Sequence, residues 1–206
     1  MLERLTMSSA FIVVNHSIAT LGTVAVAGYN LCGTAEAMSF MPGLALGVAA
    51  TTLFGQAVGA RRLDLAHLYT RLTLRIGVIV MVFMTAALVL GADRIIAFFT
   101  PDPGVIEIGG MLLRFMGYIQ IPQVISMVYS GALKGAGDAH SPFVITLICM
   151  WGVRILGILV SVHLLQQGMR AIAVWICADN LLRFVLFHLA YRKGRWRKRL
   201  RLGSEA

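Results

Sequence analysis

Apolar residues run through this chain in stretches too long for the buried face of a soluble helix, with short polar clusters between them. No charged side chain lies between Arg4 and Glu36, and Leu21-Gly22-Thr23 breaks that stretch only softly. A bilayer core takes about 20 apolar residues per helix, so the pattern predicts six membrane-spanning helices. The first ends near Ile18, the second runs from about Leu31 to Ala57, and the third from about Leu72 to Ala92. The fourth covers about Ile108 to Leu133, the fifth about Pro142 to Leu165 and the sixth about Ala171 to Tyr191. Ile95 to Gly104, containing Phe98-Phe99-Thr100-Pro101-Asp102-Pro103, reads as an interfacial turn of helix followed by a loop.

Composition agrees with a polytopic, all-α membrane protein. Hydrophobic residues make up 58% of the 206 residues and charged ones 13%, for a mean hydropathy of +0.81. A soluble domain of this length needs a larger polar share to cover its surface. The formal charge of +9 is concentrated at one place, since seven of the eighteen basic residues fall in the last fifteen positions, from Arg192 to Arg201. A basic run directly after an apolar helix marks a cytoplasmic end near anionic headgroups. No stacking module or recognition helix accompanies it, so no nucleic-acid partner is expected. Arg61, Arg62, Arg71 and Lys134 fall in loops on the same predicted side. The opposite side has only Arg94 and Arg170, beside Asp93, Asp102 and Glu107. Both chain ends are therefore expected in the cytoplasm, with residues 1–192 forming one helical lobe and 193–206 a basic tail.

A charge inside a span is a functional hypothesis by default, because burying it in lipid is costly. Glu36 opens the predicted second span, three and four residues before Ser39 and Phe40 on the same face. It reads either as a cation or proton site or as an interfacial carboxylate favoured by a helix N-terminus. Asn15 and His16 lie mid-span and are candidate cavity residues. Gln120 and Gln123 flank Pro122, where a proline loosens the hydrogen-bond ladder and suggests a bend lining the cavity. Asp179 and Arg183, four apart, can pair along one helix face with Arg154 joining from the preceding helix, a pattern that reads first as a structural ion network. Gly43 with Gly47, Gly55 with Gly59, and Gly131 with Gly135 are GxxxG pairs, which allow helix backbones to touch. Cys32, Cys149 and Cys177 stand alone in apolar stretches and read as small core residues. The sequence has no nucleophile with a base, no metal-ligand cluster and no GxxxxGK[ST] phosphate loop, so neither enzyme activity, nor a metal, nor a cofactor is expected.

Four strings taken in order carry a family resemblance. Glu36-Ala37-Met38-Ser39-Phe40-Met41-Pro42-Gly43, followed by Ala49 to Ala60 with its Gly55-Gln56-Ala57-Val58-Gly59-Ala60 ending, resembles the second helix of a lobe of the multidrug and toxic compound extrusion (MATE) transporters. Ser130-Gly131-Ala132-Leu133-Lys134-Gly135-Ala136-Gly137-Asp138 is similar to the family's loop between its tenth and eleventh helices. Trp151-Gly152-Val153-Arg154 resembles its Trp-x-x-Arg stretch, and Val174-Trp175-Ile176 with Tyr191 to Trp196 its last helix and exit. Leu156 stands where the family often has proline, so the resemblance does not carry a proline kink over to this helix. Leu2-Glu3-Arg4-Leu5 resembles the interior of the seventh helix, which implies that the chain corresponds to the C-terminal six-helix lobe, starting partway along that helix.

The resemblance implies a secondary antiporter of a bacterial-type inner membrane, exporting small cationic or amphipathic compounds against sodium ions or protons, and needing an N-terminal six-helix lobe as partner. It also implies a coupling role for Glu3 and raises the weight of Glu36. Two other readings remain open: a lipid-linked sugar flippase of the same superfamily, whose cavity Arg114, Arg154 and Arg183 would make cationic, and a non-transporting remnant or a half that pairs with another six-helix lobe.

Overall fold

The computed structural model describes residues 2–164 and 168–194. The described residues fold into a bundle of helices: α1 (Leu2–Ala19), α2 (Thr23–Gly59), α3 (Leu63–Leu90), a short α4 (Ala92–Phe99) and α5 (Pro103–Gly135). The next helix is composite. It starts as α6 (His140–Leu147), continues as a π-helical stretch (Ile148–Ile155), returns to α geometry for one turn as α7 (Leu156–Leu159) and ends in a second π stretch (Val160–Leu164). The last helix is α8 (Met169–Lys193).

Among the described residues, five helices, Thr23–Gly59, Leu63–Leu90, Pro103–Gly135, His140–Val162 and Met169–Lys193, are long and apolar enough to cross a membrane. α1, which carries Glu3, Arg4, Asn15 and His16 in 18 residues, is not among them. Several helices exceed the expected spans. α2 begins eight positions before Leu31 and α3 nine before Leu72, because backbone hydrogen bonding continues through polar turns that a search for lipid-immersed residues discards. At 37 residues, α2 is about 55 Å long, well beyond a hydrocarbon core of about 30 Å. The turn between α1 and α2 requires glycine: Gly22 sits at φ 101°, a region that a side chain disfavours. Asp102 caps α5, its Oδ1 accepting from the backbone N–H of Gly104 at 2.8 Å, and Pro103 takes the first helical position, where no amide partner is lost. α5 then runs unbroken through Pro122, so the bend expected there does not interrupt the helix.

α2 and α5 form the central seam. Gly28 meets Gly109, Ser39 meets Gln120 and Gly47 meets Gly131, so numbers rise together and the two helices run parallel. The contact is backbone to backbone: a Cβ on Gly131 would overlap the carbonyl oxygen of Gly47, and one on Gly135 that of Thr51. Gly55 packs on Gly135 in the same way, with its Cβ position 3.2 Å from that residue's carbonyl oxygen. Gly43 faces Met127 and Met81 side chains instead. Gly59, grouped with the packing glycines by its spacing, is not one of them. It is exposed and its Cβ would meet nothing, because α2 ends there, beyond the crossing with α5. α3 lies antiparallel to α5, with Thr85 Oγ1 donating to the Gly117 carbonyl at 2.9 Å. The composite helix lies antiparallel to α8: the Trp175 ring covers Gly157, and its Nε1 donates to Ser161 Oγ at 2.7 Å.

Two large apolar clusters fill the described bundle, beside a small one of Met150 and Ile155. One, near the α4 end, gathers Ile18, Ala35, Ile96, Leu112, Ile158 and Ile172. The other gathers Phe54, Ala66, Tyr129, Leu133 and Phe187 where α2, α5 and α8 finish. The basic residues Arg61, Arg62, Lys134, Arg192 and Lys193 sit at that second end. Arg195, Arg197, Lys198, Arg199 and Arg201 of the tail lie outside the described residues.

Candidate functional site

Between the two apolar clusters the bundle carries polar side chains, and they border a cavity of about 1000 Å³. Each helix bordering it contributes from its middle. α1 supplies Phe11 and Asn15, and α2 supplies Tyr29, Glu36, Met38 and Met41. From α5 come Met116 and Gln123, from the π stretch Met150 and Arg154, and from α8 Ile176, Asn180 and Arg183. The walls are largely apolar and rich in methionine, an adaptable lining for varied ligands, with a few charged groups placed on them. Met38 and Met41 are 74% and 64% exposed, so the cavity opens on one face of the bundle.

Glu36 projects from the interior of α2. It is not at a helix N-terminus as its place in the charge pattern suggested, since α2 starts thirteen residues earlier at Thr23. The dipole explanation for its charge therefore falls away. Its side chain shares the cavity wall with the Gln123 amide and the Arg154 guanidinium. Directly behind it on α2, Ser39 Oγ donates to the Glu36 carbonyl at 2.8 Å and accepts from Gln120 Nε2 at 2.9 Å. Gln120 is buried at 1% exposure and does not border the cavity; its amide ties α5 to α2 at the level of Glu36. Ser39→Ala leaves that amide without a partner and is expected to cost about 1–3 kcal/mol, measured as a lowered unfolding midpoint in detergent.

Asp179 is fully buried and holds both arginines. Arg154 Nη2 approaches its Oδ2 at 2.9 Å, and Arg183 Nη2 reaches Oδ1 at 3.1 Å and Oδ2 at 3.2 Å. A carboxylate at 0% exposure persists in a bundle core because two cations solvate it. Arg154 reaches it from the end of the π stretch, where the Leu156 amide bonds five residues back to Trp151. Such widened turns recur at functional sites, and here the departure from α geometry occurs with no proline present.

The other expected residues are dispersed. Asn15 borders the cavity but is exposed and donates to its own helix, to the Phe11 carbonyl at 3.0 Å. His16, beside it, is exposed and does not border the cavity. The side chain of Glu3 lies outside the described residues. Arg114 does not border the cavity and pairs with Asp93 at the surface. Tyr29 and Asn180 border the site without having been singled out; their polar tips in otherwise apolar helices were the available signal. Among the described residues no group of His, Cys, Asp and Glu is placed to hold a metal ion, and Cys32, Cys149 and Cys177 are free.

Comparison with known proteins gives a consistent picture. A family model described as MatE matches residues 1–160. A probable multidrug resistance protein NorM of Thermotoga maritima is 28% identical over 204 residues, covering 99% of this chain and 44% of that protein. The NorM of Haemophilus ducreyi is 30% identical over 161 residues, covering 77% of this chain and 35% of its own length. The chain thus spans less than half the length of these relatives. Among solved structures, a MATE in the bent conformation superposes over the whole chain and 45% of its own, with a TM-score of 0.88 at 20% identity. A MOP superfamily transporter from Pyrococcus furiosus, described as having a binding pocket of reverse polarity, superposes over 97% of this chain and 44% of its own, with a TM-score of 0.85 at 20% identity. These likenesses establish the fold.

Proposed function

The chain belongs to the MatE family, and on that premise we propose that it forms one lobe of a secondary antiporter exporting cationic or amphipathic compounds in exchange for sodium ions or protons. The observation that carries this reading is the cavity, with Glu36 on its wall and an exposed methionine-bearing mouth. A carboxylate held mid-bundle beside a neutral amide can exchange a proton or cation without the helix unfolding, and the methionines suit ligands of varied shape. A second six-helix lobe is the natural partner, since the exposed face around Met38 and Met41 would otherwise stay in lipid or water. Rocking of two such lobes about a central cavity is the simplest form of alternating access. The basic ends of α2, α5 and α8 face the cytoplasm in this reading, as expected from the positive-inside bias, in a bacterial-type inner membrane.

The flippase alternative is less well supported. A pyrophosphate group needs a strongly cationic cavity, yet Arg114 is elsewhere, and Arg154 and Arg183 are balanced by Asp179 and Glu36. The reading as a half that does not itself transport predicts that pairing with a complementary lobe restores no export. In the complete transporter, Glu36→Gln is expected to lower export of a cationic dye at least tenfold while membrane expression stays normal. Unchanged efflux at equal expression would remove Glu36 from the mechanism.

A further inference from the structure

α3 carries two arginines on the side turned away from the bundle. Its residues Ala66, Thr70, Thr73, Gly77 and Met81 are buried, and Gly77 lies against Val124 and Leu46, so that face belongs to the core. Arg71 and Arg75 lie on the opposite face, one turn apart and both exposed. Around them stand Leu68, Leu72, Ile79 and Val82, 43–58% exposed, which is the profile of a lipid-facing stripe. Neither arginine borders the cavity, and among the described residues neither has an ion-pair or hydrogen-bond partner. The acids at this end of the bundle are engaged elsewhere: Asp64 with Arg62 at 3.0 Å, and Asp138 with Ser141 Oγ at 2.6 Å.

Their depth fits a headgroup contact. The third span is expected to start near Leu72, so Arg71 marks its edge and Arg75 sits one turn, about 5.4 Å, inside it. Side chains on a helix lean toward its N-terminus, here toward the end that carries Arg61, Arg62, Lys134, Arg192 and Lys193. The stem of Arg75 can therefore lie along the apolar stripe while its guanidinium reaches headgroup level. His67 Nδ1 and the Tyr191 hydroxyl, 3.1 Å apart, hold this part of α3 to α8, which gives both cations a fixed base.

We propose that Arg71 and Arg75 bind the phosphate of an anionic phospholipid in the leaflet at the basic end, with its acyl chains along Leu72, Ile79 and Val82. Charge complementarity selects this occupant. Two unpaired guanidiniums favour a net negative headgroup over a zwitterionic one and match a phosphate with paired N–H donors. A soluble anion would leave the apolar stripe uncovered. The site lies apart from the cavity and does not depend on what the transporter exports.

Native mass spectrometry of the complete transporter in detergent, titrated with dioleoylphosphatidylglycerol or dioleoylphosphatidylcholine, tests this. The first phosphatidylglycerol is expected to bind at least about tenfold more tightly than the first phosphatidylcholine, since each basic residue near the headgroups contributes about fivefold. Arg71→Gln with Arg75→Gln is expected to reduce that preference below about threefold, with phosphatidylcholine binding and the thermal midpoint unchanged. Arg192→Gln with Lys193→Gln, which removes the same charge from the same end, is expected to leave the preference within about twofold of its original value. Should the first double variant fail to fold, Arg75→Gln alone is expected to lower the preference by about threefold or more. Equal binding of the two lipids to the unmodified protein overturns the site. Equal loss of preference in both double variants also overturns it, because general charge at that end would then account for the binding. Displacement of phosphatidylglycerol by an equal concentration of glycerol phosphate overturns it too, in favour of a site for soluble phosphates.

Discussion

Asp179→Asn is expected to destabilise the bundle by about 3–5 kcal/mol, the cost of removing one partner from a buried ion pair. The substitution conserves shape, so the effect isolates charge. Asn cannot neutralise Arg154 and Arg183, and both guanidiniums would face a protein core in which their one shared counterion is gone. The measurement is the thermal midpoint of the purified protein in detergent, alongside the fraction eluting as a monodisperse peak. Adding Arg183→Gln to Asp179→Asn is expected to recover part of the loss, since one of the two uncompensated charges is then removed as well. A midpoint within a degree of the unmodified protein would mean that water, not Asp179, solvates the arginines, and the network would no longer count as structural.

Gly131→Ala is expected to cost about 3 kcal/mol, at the upper end for overpacking, although alanine is the better helix former. The added methyl falls on the carbonyl oxygen of Gly47. Relief requires α2 and α5 to separate, because no flexible side chain at the contact can move aside. That separation would also pull Ser39 from Gln120. Gly59→Ala is the matched comparison: it belongs to the same sequence pattern, yet its Cβ meets nothing, and a change within about 0.5 kcal/mol is expected. Midpoints measured for both proteins in the same detergent decide the point. Equal effects would show that the α2–α5 contact is not the close seam described above.

The comparison of those two glycines shows how far a sequence pattern reaches. Spacing of small residues identifies positions where backbones can approach, but it does not say which do. Gly28 and Gly109 form a close contact with no GxxxG signature between them, and Gly59 carries the signature with no contact. Span boundaries show a related effect. Charge and hydropathy report immersion in lipid, whereas helices end where backbone hydrogen bonding ends, so α2 and α3 extend back through Asn30 and through Asp64, His67 and Arg71.

What the sequence determined by itself is the all-helical membrane character and the family. Both follow from properties local to each segment: unbroken apolar runs leave lipid as the only adequate solvent, and the ordered strings from Glu36 to Trp196 are one-dimensional marks. Asp179 with Arg183 was also legible, because four residues along a helix is a fixed distance. The tertiary structure alone decided where the polar groups meet. Arg154 joins Asp179 across two helices through a π-helical turn that no proline or glycine pair announces. Gln120 and Gln123 differ in role because three residues turn a helix by about 300°, placing one behind Glu36 and the other on the cavity wall. Such juxtapositions depend on rotation and crossing of whole helices, which packing against neighbours sets and no single segment encodes.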